Sequence, residues 1–314
     1  MNIIELATQR LQQLSQTGVE TAESAANAGK SEQRIGTIPT LQQALVGQPP
    51  AQHEGSPARV HGAGAGQGRP VPGDRRSETV TLDIERLEEA GVLVATRSRS
   101  TMAEEFRHIK RPLLAHIQDQ PRAAGDRSPL IMVTSALPGE GKTFCSINLA
   151  FSLAIEVDMS VLLVDADVVR CSLMRTLGLQ PRKGLLDVLT DPTQDLSDVL
   201  LRTNIPNLSL LPAGTCNVRS TELLASAAMD NLLGELSSRY PDRIVVFDTT
   251  PLLLTSEAKV LASRMGQVVV VVEESKTPYP ALEQAFAAVE DCPVVMSVLN
   301  KGSKPGPDYG SYYG

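Results

Sequence analysis

Apolar residues change their spacing several times along the 314-residue chain, and each change marks a boundary. At the start, Ile4, Ala7, Leu11 and Leu14 fall at i, i+3, i+7 and i+10, one stripe of an amphipathic helix, and Gly18 follows as a stop. The spacing predicts a helix within residues 1–18, too short to persist alone in water, so it either docks on something or stays loosely ordered. Between Val19 and Ser77 the periodicity dissolves into Gly, Ala, Gln, Pro and Ser, most plainly in His61-Gly-Ala-Gly-Ala-Gly-Gln-Gly-Arg-Pro70. Such a segment cannot bury enough apolar surface to offset its chain entropy, so residues 19–78 are expected to be a disordered linker, with a short helix near Thr40–Leu45.

Helical spacing returns over residues 79–128. Asp83 is placed to cap a short helix carrying Ile84 and Leu87, with Gly91 ending it. A second helix, near Met102–Gln118, carries Phe106, Ile109, Leu113 and Leu114, and Pro112 inside it should kink or divide it. On its other face Glu104, Arg107 and Lys110 stand at three-residue steps as one charged stripe, ordinarily a solvated face.

From Pro129 the pattern alternates between short apolar runs and amphipathic helices. The runs are Leu130–Thr134, Val161–Asp165, Leu208–Leu211, Ile244–Asp248, Gln267–Val272 and Val294–Leu299; the helices are Lys142–Ile155, Thr221–Ser238 and Pro280–Glu290. Several runs are apolar throughout, as strands are when helices cover both faces of a parallel sheet. Residues 129–301 therefore read as a doubly wound, mainly parallel α/β domain, whose ligand should sit at the carboxyl ends of the strands.

The residues at those ends carry the chemistry. After the first run comes Ala136-Leu-Pro138-Gly139-Glu140-Gly141-Lys142-Thr143-Phe144, a phosphate-loop pattern with Ala136 in the place of the first glycine. Small residues let backbone N–H groups wrap phosphates, and the helix opening at Lys142 adds the positive end of its dipole. Lys142 would reach the β- and γ-phosphates and the Thr143 hydroxyl would bind Mg²⁺. Two further runs end in acid, Asp165-Ala-Asp167 and Asp248-Thr-Thr. Aspartates there could cap the helices that follow, but three beside a phosphate loop favour metal binding. Asn300 closes the last run, on the nucleotide edge, where its amide could recognise a base or simply suit a turn. Residues 302–314 read as a flexible tail, yet hold Tyr309, Tyr312 and Tyr313, three of the chain's five tyrosines. Nine residue steps separate Asn300 from Tyr309, up to ~30 Å extended, so a tail phenol could reach its own site or a neighbour's.

Composition narrows the partners. A net charge of −7 and the lack of tryptophan argue against a nucleic-acid binder. Cys145, Cys171, Cys216 and Cys292 are scattered without a Cys-x-x-Cys pair, which suggests reduced thiols in a cytosol and no structural metal. No apolar run approaches the ~20 residues of a membrane span, and the start lacks the cationic region of a signal peptide, so the chain is expected in the cytoplasm.

Together, these features resemble the bacterial tyrosine kinases of polysaccharide export, and more narrowly the tyrosine autokinases of exosortase/PEP-CTERM loci. The closer likeness lies in Ala103-Glu-Glu-Phe-Arg-His-Ile-Lys-Arg-Pro-Leu-Leu114, the phosphate loop, Leu200-Leu-Arg-Thr-Asn-Ile-Pro206 and Ser220-Thr-Glu-Leu-Leu-Ala225. It covers about Thr79–Gly314, and the N-terminal helix also looks like the subfamily's start. The resemblance implies ATP- and Mg²⁺-dependent autophosphorylation of Tyr309, Tyr312 and Tyr313. It gives catalytic roles to Lys142, Asp165 and Asp167, and a metal set of Thr143, Asp165, Asp167 and Asp248. It assigns Glu104, Arg107 and Lys110 to a homo-oligomer contact, with Lys110 replacing an arginine. The implied partner is a membrane chain-length determinant protein that activates the kinase in trans and holds it at the inner membrane. Two positions depart from the family pattern, Val169 where arginine is usual and Thr250 before Pro251. The alternatives are a septum-positioning or partition ATPase, against which Leu137 replaces the signature lysine, and a non-catalytic ATP-binding regulator of an export complex.

Overall fold

The computed structural model describes residues 78–94, 100–119, 125–217, 219–238 and 242–302. The chain divides into two units, Met1–Gln67 and Gly68–Gly314, and every described residue belongs to the second. The expected N-terminal helix, the linker up to residue 77 and the three tail tyrosines lie outside the described residues.

The described chain begins with β1 (Thr79–Val80), α1 (Ile84–Glu89) and α2 (Thr101–Asp119). The nucleotide-fold half follows as β2 (Leu130–Ser135), α3 (Lys142–Ala154), β3 (Ser160–Ala166), α4 (Leu173–Thr176), α5 (Leu185–Thr190) and α6 (Leu196–Val199). It continues with β4 (Leu201–Thr203), β5 (Leu208–Leu211), α7 (Ser220–Leu224), α8 (Ala227–Ser238) and β6 (Arg243–Thr249). The last elements are α9 (Ser256–Ala262), β7 (Gln267–Glu273), α10 (Tyr279–Ala287) and β8 (Val294–Asn300). Eight strands form one sheet in the order β1-β4-β5-β3-β6-β2-β7-β8. Every pairing is parallel except β4 with β5.

The continuous apolar runs are explained by burial on both faces. Ile131, Val133, Leu163, Val246 and Val269 enter one core with Leu87, Leu113 and Ile147 from α1, α2 and α3. Their neighbours Met132, Leu162, Val245 and Val268 enter a second core with Leu186, Leu233 and Leu261 from α5, α8 and α9. Alternate residues thus serve opposite layers, the signature of a doubly wound sheet.

Two expectations are revised. Helix α2 runs undivided through Pro112, because Phe106 before it and Leu113 and Ile117 after it are buried in the same core, and that packing outweighs one lost helical hydrogen bond. The single helix expected over Thr221–Ser238 is two. Arg264 holds the carbonyls of Leu224, Ala225 and Ser226 at 3.2, 3.0 and 3.4 Å, ending α7, and Ser226 Oγ accepts from Met229 N at 3.3 Å at the start of α8. Between β3 and β5 the chain forms α4, α5, α6 and β4, pieces of three to six residues that are too short to show a period.

Candidate active site at the carboxyl ends of the strands

The phosphate loop joins β2 to α3 and is braced from outside. Gly139 and Gly141 have φ of +93° and +99°, a region that L side chains enter at a cost. Glu140 is buried; its Oε2 accepts from Leu137 N at 2.7 Å, and its Oε1 is bonded by Thr277 Oγ1. The end of β8 completes the brace: Asn300 Nδ2 donates to the Glu140 carbonyl at 2.8 Å, and Lys301 Nζ to the Gly139 carbonyl at 2.7 Å. Lys301 is itself paired with Glu273 Oε2 at 3.1 Å. With these carbonyls tied outward, the 13-residue helix α3 presents its N-terminal end to an anion.

Three carboxylates face the loop. Asp165 and Asp248 are register partners on β3 and β6, Asp167 follows two residues on, and all three are fully buried. Lys142 is buried too and pairs with Asp167 Oδ2. The hydroxyl of Ser146 lies 3.1 Å from Asp248 Oδ1, and the nearby Thr143 hydroxyl favours the ionised form of Asp248. Asp165 Oδ2 accepts from Leu173 N at 3.2 Å. The remaining oxygens, Asp165 Oδ1 and Asp248 Oδ2, are buried without a hydrogen-bond partner. Orphaned buried carboxylate oxygens beside a phosphate loop fit a divalent cation. Among the described residues no group of three or more His, Cys, Asp or Glu converges into a metal cage.

One lysine among three buried acids leaves the site short of positive charge. Burial, then the nearby Asp248 and Asp167, pushes Asp165 up to about 8. Burial pushes Asp248 up to about 6, against the opposing pull of Lys142 and the Thr143 hydroxyl. Both groups bind protons more tightly folded than unfolded, so their contribution to stability is complete below pH ~4 and is lost as pH rises through about 6 and then about 8. In a chelator, with no nucleotide, the Asp165→Asn variant is expected to lose less melting temperature than the parent between pH 5 and 8.5, and to melt above it at pH 8.5. Parallel curves in thermal unfolding would refute this.

Most of the expected site residues converge here: Gly139, Glu140, Gly141, Lys142, Thr143, Asp165, Asp167, Asp248 and Asn300. Pro138 is exposed on the loop's outer turn, and the Phe144 ring turns away toward Gly91. The amide of Asn300 is engaged by the phosphate loop itself. On α2, Glu104 and Arg107 form an exposed ion pair, but Lys110 turns inward, donating to the Ser152 carbonyl at 2.7 Å and pairing with Glu156 at 2.6 Å. The charged stripe is therefore not one solvated face. Sequence reading missed Ser146, Glu273, Thr277 and Lys301. Only Ser146 left a signal, one helical turn beyond Lys142 and so on the same face. The expectation of four reduced thiols does not hold: Cys171 and Cys216 form a disulfide, and Cys145 and Cys292 are free and buried.

Comparison with known proteins agrees with this geometry. A family described as the AAA domain matches residues 129–292. The tyrosine-protein kinase YwqD of Bacillus subtilis is 29% identical over 227 residues, 71% of this chain and 91% of YwqD. The tyrosine-protein kinase ptk of Acinetobacter johnsonii is 32% identical over 185 residues, 58% of this chain. The succinoglycan biosynthesis transport protein ExoP of Rhizobium meliloti is 32% identical over 209 residues, 65% of this chain. The chain spans only 25% of the length of each of these last two. Among solved structures, the BceF tyrosine kinase domain is similar with a TM-score of 0.56 and 26% identity, over 71% of this chain and 92% of that one.

Proposed function

The chain belongs to the AAA-domain family, and from that premise and its 29–32% identity to bacterial tyrosine-protein kinases we propose that it is an ATP-dependent protein-tyrosine autokinase of polysaccharide export. The observation that supports the reading most is the buried Lys142–Asp167 pair, set between a braced phosphate loop and two carboxylates with unpartnered oxygens. In the reading, Lys142 leaves Asp167 for the β- and γ-phosphates while the loop amides hold them. Thr143, Asp248, Asp167 and Asp165 are the residues that would hold Mg²⁺, whose charge neutralises the transferring phosphoryl group. Asp165 would serve as the general base, held ionised by the charge of the bound cation. It takes the proton of the acceptor phenol as that oxygen bonds to the γ-phosphorus and the bond to the bridging oxygen breaks, releasing ADP. Binding energy does the rest by alignment.

The proposed acceptors are Tyr309, Tyr312 and Tyr313 of a neighbouring copy, in the manner of the exosortase/PEP-CTERM-locus autokinases. Copies would meet through the Glu104–Arg107 surface of α2, without Lys110. The kinase would act in the cytoplasm, recruited to the inner membrane by a chain-length determinant protein. Among the described residues no helix is long and apolar enough to cross a membrane. Mass spectrometry of the pure full-length protein after incubation with Mg-ATP tests the reading. Phosphate on the tail tyrosines, stimulated by a cytosolic segment of that partner, is expected. Unmodified tyrosines alongside steady ATP hydrolysis would instead select an ATPase.

A further inference from the structure

The disulfide is fastened to the catalytic carboxylates. Cys171 and Cys216 are 45 residues apart, but β3 and β5 lie side by side in parallel register, Val161 with Leu208 through Val164 with Leu211. The segments leaving the two strands therefore emerge together at the edge of the site. Cys171 closes the turn that Asp167 opens: the amides of Arg170 and Cys171 donate to the Asp167 carbonyl at 3.1 and 2.7 Å, and Arg170 N also lies 3.2 Å from Asp167 Oδ1. Two residues on, Leu173 N bonds Asp165. One turn thus orients both acids, and the disulfide holds the turn.

The other end of the bond is a firm support. Leu185 and Leu186 amides donate to the Pro212 and Ala213 carbonyls at 2.8 and 2.9 Å, and Asp187 Oδ2 accepts from Gly184 N and Thr215 N at 2.8 and 3.1 Å. Cys216 is exposed, as labile and regulatory disulfides tend to be, whereas Cys145 and Cys292 are buried and shielded.

We propose that Cys171–Cys216 is a redox switch on the carboxylate turn: the bond holds Asp165 and Asp167 in place for phosphoryl transfer, and reduction releases them. The effect on transfer rests on the kinase reading above. The reductant is a dithiol. One of its thiolates attacks Cys216 Sγ, the S–S bond breaks, and Cys171 leaves as a thiolate and is protonated. The second thiolate attacks the mixed disulfide and frees Cys216, which is protonated in turn. Two electrons and two protons reach the protein, and the reductant departs as a cyclic disulfide. Oxidised glutathione reverses the exchange, two protein thiols giving the bond and two glutathione thiols.

The full chain, treated with oxidised glutathione and then with dithiothreitol, tests this by alkylation, hydrogen exchange and kinase assay. Alkylation of the denatured protein should label Cys145 and Cys292 alone before reduction and all four cysteines after it. Reduction should speed amide exchange over residues 168–173 about tenfold. It should lower kcat for tail phosphorylation about tenfold and move the KM for ATP less than about twofold, because the nucleotide loop is braced from β7 and β8 instead. Cys171→Ser and Cys216→Ser should match the reduced protein in both buffers. Four labelled cysteines after oxidation, or exchange that ignores reduction, would overturn the switch. Tyrosine phosphate absent from both redox states would overturn the kinase reading alone, leaving the switch to be decided by labelling and exchange.

Discussion

Replacing Lys142 with alanine is expected to slow tail phosphorylation by about 10²–10³-fold, the scale on which loss of one transition-state donor acts. The substitution removes the cation that would meet the phosphates, and also the one that now neutralises the acids. Asp167, buried with it, loses its ion-pair partner, and Asp248 loses the coulombic pull that counters its burial. Breaking a buried pair from one side costs about 3–5 kcal/mol when the remaining charge stays ionised, and less where it can take up a proton. The variant should therefore lose more melting temperature at pH 8 than at pH 5. Quantitative phosphotyrosine detection and thermal unfolding at both pH values measure the two effects. Parent-level labelling in the variant would remove Lys142 from the mechanism, and an equal loss of stability at both pH values would contradict the account of the acids.

The second large effect is expected at Gly141. A β-carbon there would lie 2.0 Å from Asn300 Nδ2, the group that ties the Glu140 carbonyl outward, and φ of +99° strains any L side chain besides. At Gly139 the φ is similar, +93°, but nothing stands within 4 Å. Strain alone costs about 1–2 kcal/mol, roughly tenfold in affinity. Displacing Asn300 adds about 1 kcal/mol or more. In calorimetric titrations Gly141→Ala should weaken Mg-ATP binding about 100-fold and Gly139→Ala about tenfold. Adding Asn300→Gly to Gly141→Ala should recover part of the loss. Equal losses at the two glycines, with no recovery, would show that the brace does not set the loop's geometry.

The contrast between these neighbours shows where sequence reading works and where it stops. Strand runs such as Leu130–Ser135, and the aspartates that end β3 and β6, were legible because burial on both faces requires unbroken apolar residues and leaves polar ones at the ends. The phosphate loop was legible because its glycines and Lys142 are local in sequence. The brace was not. Asn300 and Lys301 meet the loop only because β8 follows β7, which neighbours β2, and no local spacing records that order. The disulfide escaped for the same reason, since β3 and β5 bring two distant segments to one edge. Lys110 carried a misleading signal: three-residue spacing placed it with Glu104 and Arg107, but the helix is rotated so that Lys110 reaches the carbonyl of Ser152 across the core face. The break between α7 and α8 depends on Arg264, a residue some 40 positions further on.

Lys301 has one more consequence. Its ammonium fastens the Gly139 carbonyl, and its own backbone leads through Gly302 into the segment that carries Tyr309, Tyr312 and Tyr313. In the proposed reaction the loop cradles the phosphoryl donor and that segment is the acceptor. Traction on the acceptor would thus arrive first at the rivet of the donor's cradle. A copy whose tail is drawn into a neighbour's site would have its own nucleotide loop under load, so that giving a tyrosine and holding a nucleotide become mechanically linked within one chain.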